Sequence, residues 1–302
     1  MDRRRLLGPL NTIIPNIGIS SNPNDIKPDT TIDNDEVSAN QIQNFFLKTG
    51  IIENANGSAY LEVGNSIIEV SVFGPRPIRG SFVDRASFSV ECKFLPYITQ
   101  PGEQIYNTTN QFNNGNSNTN ANGRTGLTTI EQRISAYVET ALLPSIILEK
   151  YPKSTFDIFI TIISTEEGVN NNDEDDDNSA PNEQLLRLTN WIVNCSSVAL
   201  VDASVELKDI VTSGIVKTTS DGKVIFDPRS QGNEEEEQEE GSVIGVASFM
   251  NLRNDELVGI WIERQGAINV GDTEMNNILD GCNEMSKKIR ANINTYLANS
   301  LE

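Results

Sequence analysis

From Gly57 onward, apolar and polar positions alternate with a period of two. Ser58–Val63 and Ser66–Phe73 are two such runs, the second placing Ile68, Val70 and Val72 on one face. Gly64-Asn65 between them supplies a two-residue turn, so the pair predicts a β-hairpin. Gly74-Pro75-Arg76-Pro77 is expected to end the second strand, because a proline has no amide donor for a ladder and restricts the residue before it. A third strand is predicted over Arg85–Phe94, with Phe88, Val90 and Cys92 on one face. The period then lengthens. Ile130, Ile134, Val138, Leu142 and Ile146 recur every four residues, which predicts a helix over Thr128–Lys150, capped by Thr128 or Thr129 and bent or restarted at Pro144. Phe156–Ile163 has the β-branched composition of a buried strand. Glu183–Ala203, with Leu186, Trp191, Val193, Val198 and Leu200, predicts an apolar helix in which Trp191 belongs to the core. Strands are expected over Val211–Val216, Val224–Phe226, Ser242–Met250 and Glu256–Ile262, and a long helix over Thr273–Leu297. Gly245 inside one of those strands implies a bulge or a close backbone approach. Trp261, in an edge-like strand, fits either core or interface. This order of elements is that of an α+β domain with helices packed on mixed sheets.

Between these elements lie stretches without periodicity. Residues 1–44 read as a mobile basic and polar arm, and residues 45–302 as a single domain interrupted by disordered insertions near 99–126, 166–183 and 229–241. They account for a hydrophobic content of 37%, low for a chain of 302 residues with a sizeable core. They also hold most of the formal net charge of -20, through Glu166–Glu183 and Glu234–Glu240. Blocks of like charge are solvated loops far more often than ligand sites, and the body left without them is mildly acidic. An acidic chain is the reverse of the basic footprint of an autonomous nucleic-acid binder.

Cys92, Cys195 and Cys282 are too few and too far apart for a disulfide framework or a zinc site. The sequence has no histidine, which removes Ser-His-Asp and Cys-His mechanisms and leaves no side chain with an ordinary pKa near neutrality. No metal and no cofactor are expected. No apolar run reaches the length of a membrane span, and the start, Met1-Asp2-Arg3-Arg4-Arg5-Leu6-Leu7-Gly8-Pro9, lacks the features of a signal peptide, so a soluble intracellular protein with no membrane partner is expected.

Gly57-Ser58-Ala59-Tyr60-Leu61-Glu62-Val63-Gly64-Asn65 followed by Val72-Phe73-Gly74-Pro75-Arg76 resembles the opening hairpin of RNase PH family proteins. Three further pieces fall in the family's order: Leu148–Ile160, Ser197-Val198-Ala199-Leu200-Val201-Asp202-Ala203, and Val224-Ile225-Phe226-Asp227-Pro228. Within the family, Asp2–Pro9 and Gly74–Phe82 look like the fungal exosome ring subunit named for messenger RNA transport. The resemblance spans roughly residues 48–298 and implies the RNase PH-like fold, of the ribosomal protein S5 domain 2-like βαβ type.

Active members of that family shorten RNA from its 3′ end with phosphate as nucleophile, held by a Gly-Ser-Arg or Gly-Thr-Arg cradle, and with carboxylates around a divalent ion. The resemblance puts the cradle at Arg187, Leu188 and Thr189, where the hydroxyl and guanidinium are not in their places. It puts the metal carboxylate near Gly241 and matches Asp227 to a family aspartate, a residue that also suits a turn or cap. The RNA-gripping arginines of active archaeal relatives fall on Ser89, Glu91, Thr129 and Ile130. The implied protein is therefore not an enzyme and carries no catalytic residue: it is a structural subunit of the exosome core ring. The alternative is an active phosphate-dependent 3′-to-5′ exoribonuclease. Arg3, Arg4, Arg5, Arg76 and Arg79 are the candidate RNA contacts; the same arginines, with Arg85, also fit ion pairs with neighbouring subunits or a merely solvated surface, the favoured reading for Arg79 and Arg85, while Arg3 to Arg5 stay open between the two. Implied partners are other RNase PH-like ring subunits in a heterohexamer, RNA-binding cap subunits and RNA threading the channel, in nucleus, nucleolus and cytoplasm.

Overall fold

The alternating run from Gly57 forms the middle of a five-stranded sheet. The computed structural model describes residues 42–80, 82–98, 100–101, 127–165, 181–219, 223–228, 242–250, 254–264 and 271–300. Strands β1 (Phe45–Thr49), β2 (Gly57–Val63), β3 (Ser66–Pro77), β4 (Ser87–Phe94) and β5 (Ser154–Ser164) lie in the order β1-β2-β3-β5-β4. All neighbours are antiparallel except β4 and β5, which run parallel. The period-two pattern sends Leu61, Ile68, Val70, Val72, Val90, Cys92, Ile158 and Ile160 to one buried face.

Helix α1 (Thr129–Leu142) covers β4 on that face. Thr128 is its N-cap in a capping box with Glu131. Helix α2 (Pro181–Asp202) lies between the first sheet and a second one, against β2 and β3 on one side and the second sheet on the other. Every residue from Leu185 to Leu200 is buried, as a helix sandwiched on both sides requires. The second sheet joins β6 (Thr212–Thr218), β7 (Val224–Phe226), β8 (Val243–Met250) and β9 (Glu256–Arg264) antiparallel in the order β7-β6-β8-β9. β6 and β8 are buried along their whole length, with α3 (Asp272–Ser300) on their far face. A Cβ on Gly214 would come within 2.2 Å of the Cys282 carbonyl oxygen, so glycine is what lets α3 lie against β6.

Several expectations change. β3 runs on to Pro77 through the Gly-Pro segment that was expected to end it. β2 stops at Gly57 opposite Val72, so beyond that point β3 pairs with β5 alone, and a register shift between Phe73 and Arg76 carries the ladder past the prolines. The helix predicted to Lys150 ends at Leu142: Pro144 starts a short 3₁₀ turn, and Ile146 then pairs with Leu207 as a β-bridge. Residues 42–44, assigned to the arm, include Gln43, which bonds to Asp227. Residues 181–183, assigned to an insertion, open α2, where Glu183 pairs with Lys217 at 3.1 Å. Gly245 is the close approach rather than a bulge, since its Cβ would meet Ile278 at 2.6 Å; the bulge is at Ser248/Phe249. Residues 1–41, 102–126, 166–180 and 229–241, which carry the rest of the predicted arm and insertions, lie outside the described residues.

Candidate phosphate cradle and RNA-facing loop

The pieces of sequence that carry the family likeness meet in space. Gly57 abuts the end of α2, where a Cβ would lie 2.1 Å from the Ala203 nitrogen, and the Ser58 amide donates to the Asp202 carboxylate at 2.8 Å. Gly74 sits at φ 147 with its amide on Asn56 Oδ1 at 3.0 Å, and a Cβ there would meet the Thr155 carbonyl at 2.8 Å.

Counting back along α2 from Asp202 leads to Arg187, Leu188 and Thr189. Leu188 and Thr189 are buried, and the Thr189 hydroxyl donates to the Leu185 carbonyl at 2.8 Å inside its own helix. Arg187 is a cation at the expected cradle, but it points at protein. Its Nε donates to Asp227 Oδ1 at 3.1 Å and one Nη donates to Gln43 Oε1, while the other carboxylate oxygen of Asp227 accepts the Gln43 amide at 3.0 Å. Arg187 is 8% exposed and Asp227 3%. A guanidinium that must meet a phosphate has to keep its donors free and its charge uncompensated; here a buried carboxylate takes Nε–H and compensates the charge, while the Gln43 side chain takes a second donor. The cleft beside it, lined by Val63, Ser66, Gln184, Arg187, Leu188 and Trp191, holds about 30 Å³, room for a water or two.

The positions matched to RNA grips have other partners. Ser89 donates to Asp157 at 2.6 Å, Glu91 pairs with Lys93 at 2.7 Å, and Ile130 is buried at the start of α1. Gly241 lies outside the described residues, as do Arg3, Arg4 and Arg5. Arg76 forms an ion pair with Asp157 and lies over the Phe73 ring, 5.7 Å from its centroid. Arg79 is exposed in the loop after β3, which also presents Phe82 at 73% exposure. That loop is held at its ends, by the Ile78 amide on the Lys153 carbonyl at 3.0 Å and the Lys153 amide on the Val83 carbonyl at 2.9 Å. Gln43, Asp157 and Glu131 were not singled out from sequence. For Glu131 a signal existed in the Thr-x-x-Glu box at the helix start; for the other two there was none.

A model of the RNase PH family, described as the 3′ exoribonuclease family, domain 1, matches residues 41–206. The exosome complex component MTR3 of Chaetomium thermophilum is 25% identical over 244 residues, 75% of this chain and 76% of that protein. The exosome complex component Rrp41 of Pyrococcus horikoshii is 26% identical over 212 residues, 69% of this chain and 67% of that one. Among solved structures, rice Rrp46 superposes with a TM-score of 0.58 at 19% identity, covering 86% of this chain and 97% of its own, a likeness of fold. The resemblance to the fungal ring subunit seen in the sequence thus agrees with the similarity to MTR3. Together with strands and helices packed in the RNase PH manner, the match over more than half of the residues means that this chain belongs to the RNase PH family.

Proposed function

We propose that this chain is a non-catalytic structural subunit of the RNA exosome core ring, supporting 3′-to-5′ RNA processing and decay by assembling the ring and its RNA channel. The observation that carries the proposal is the buried Arg187–Asp227 pair closed over by Gln43. A phosphorolytic site needs positive charge preorganised around an attacking phosphate, and here the candidate cation is neutralised within the protein. Family membership and the similarity to proteins named as exosome components supply the context. On this reading the partners are other RNase PH-like chains in a heterohexamer, RNA-binding cap subunits and RNA in the channel, in nucleus, nucleolus and cytoplasm. Arg79 in its pinned loop is the first candidate for phosphate contact, Arg76 is partly occupied by Asp157, and Arg3 to Arg5 complete the set.

The test is phosphorolysis by the full-length chain, given 3′-labelled single-stranded RNA, inorganic phosphate and Mg²⁺. No nucleoside diphosphate is expected above a protein-free control. Phosphate-dependent release of nucleoside diphosphates would establish the active exoribonuclease instead.

A further inference from the structure

The two acidic runs and the Asn-rich run lie outside the described residues, yet the fold fixes where each of them leaves it. β4 and β5 run parallel with Phe94 opposite Ile162, so both strands finish at one end of the first sheet. Residues 102–126 leave beyond β4 and return at α1, whose Glu131 accepts the Phe94 amide at that same end. Residues 166–180 leave beyond β5 and return at Pro181, the first residue of α2. Pro101 and Thr165, which precede these two runs, line one cleft with Gln184 and Arg187. Residues 229–241 leave after Pro228, next to the Asp227 that holds Arg187. They return at β8, where Val243 faces Thr218, the neighbour of the Lys217 that pairs with Glu183. Three segments far apart in sequence are thus rooted around the first turns of α2, at the cradle position.

The charge of these segments is one-sided. Residues 166–180 hold seven carboxylates and no lysine or arginine, and residues 229–241 hold six against Arg229. No position in either run is more than eight residues from a described one, about 28 Å at full stretch, so the charge is tethered to that end of the chain. The two buried cations at the roots, Arg187 and Lys217, are already paired with Asp227 and Glu183 and do not offset it. The opposite end has the other sign. β5 is eleven residues long, about 33 Å, and at its start Ser154 pairs with Pro77 of β3. The exposed cations Arg79, Arg85, Lys153 and Lys208 gather there against Asp84 and Glu149, with Lys150 and Glu206 paired to each other. In physiological salt a field fades over about 8 Å, so the two ends act on a polyanion separately. We infer that the two acidic insertions repel RNA from the cradle end of this chain, so that RNA approaches it only by the Arg79 end. The internal Arg187–Asp227 pair removes the attraction for a phosphate at the cradle position, and the insertions add a repulsion to it. The inference rests on the reading that RNA passes along this chain and adds which end it is kept from.

The test uses the full chain, free and in the particle isolated through it from its native cell. Photoactivatable single-stranded RNA is crosslinked to it and the contacts are mapped along the chain. In one variant every Glu and Asp of residues 166–180 and 229–241 becomes Gln or Asn; in a second, Glu and Asp are interchanged there, which keeps the charge. In about 0.01 M salt, where the Debye length is about 30 Å, the parent is expected to give contacts around Arg79 and few at residues 62–66, 183–187 and 223–228. The neutralised variant is expected to raise the ratio of cradle-end to Arg79-end contacts by about tenfold or more, and the charge-keeping variant to match the parent. In the parent itself, about 0.15 M salt should shift the same ratio several-fold in the same direction, a reading that needs no variant to fold. An unchanged ratio on neutralisation, an equal gain in both variants, or no RNA contact at either end overturns the inference. Loss of a retained basic protein on neutralisation, with RNA contacts unaltered, also overturns it and assigns the charge to that partner. The ring reading is judged by the composition of the particle and stands or falls without it.

Discussion

Arg187 and Asp227 lie out of water, so the cation is what makes the carboxylate tolerable there. Arg187→Met strands Asp227 and is predicted to lower stability by about 3 kcal/mol, whereas adding Asp227→Asn, which removes the charge but suits the left-handed backbone there and still accepts the Gln43 amide, recovers much of that loss; chemical denaturation of the three variants and the parent closes the cycle. The cysteines give a second expectation. Burial raises all three thiols, Cys282 up to about 12 against hydrogen bonds from the Ala247 and Val216 backbone that pull the other way. Since the thiolate is the reactive form, none should be labelled by a thiol reagent in the native chain at neutral pH, and all three should be labelled on unfolding. Labelling of one native cysteine would mean that its surroundings open. Residue-scale features were read unevenly from the sequence. The Gly57-Ser58-Ala59 and Asp202-Ala203 pieces stand out because glycine is sterically required where they touch. Nothing in the spacing shows that Gln43, 144 residues before Arg187, closes over the cradle position.

At the scale of elements, Glu131 does two jobs at 4% exposure. One carboxylate oxygen accepts the Thr128 amide at 2.7 Å and completes the cap of α1; the other accepts the Phe94 amide and closes the β4 edge. Glu131→Ala is therefore predicted to cost about 2 to 3 kcal/mol, against about 1 kcal/mol for Thr128→Ala, which removes a cap and leaves the strand edge satisfied. Equal losses in thermal unfolding would show that the bond to the strand contributes nothing. Strong periodicity made most elements legible, from the hairpin to the two long helices. β1 was missed because five residues of mixed polarity carry no period, and it is fixed by pairing with β2 instead. The fate of Pro75 and Pro77 depends on where β2 stops, which is a tertiary fact and not a local one.

For the whole molecule, α2 is buried between two sheets from Leu185 to Leu200, and near its start the buried Arg187–Asp227 pair neutralises the charge of the cradle position within the family's architecture. Among the described residues, the surface offers a pinned loop with Arg79 and Phe82. If the loop with Arg79 meets RNA, Arg79→Ala in the assembled complex should weaken RNA binding without sequence preference and lower the salt dependence by about one counterion, measured by titration at several salt concentrations. An unchanged salt dependence would assign Arg79 to a protein neighbour. The most direct test of the ring-subunit account is the intact mass and composition of the particle isolated through this chain from its native cell. The account predicts one copy of this chain among several different RNase PH-fold chains and RNA-binding caps; a homo-oligomer of this chain, or the chain alone, would contradict it.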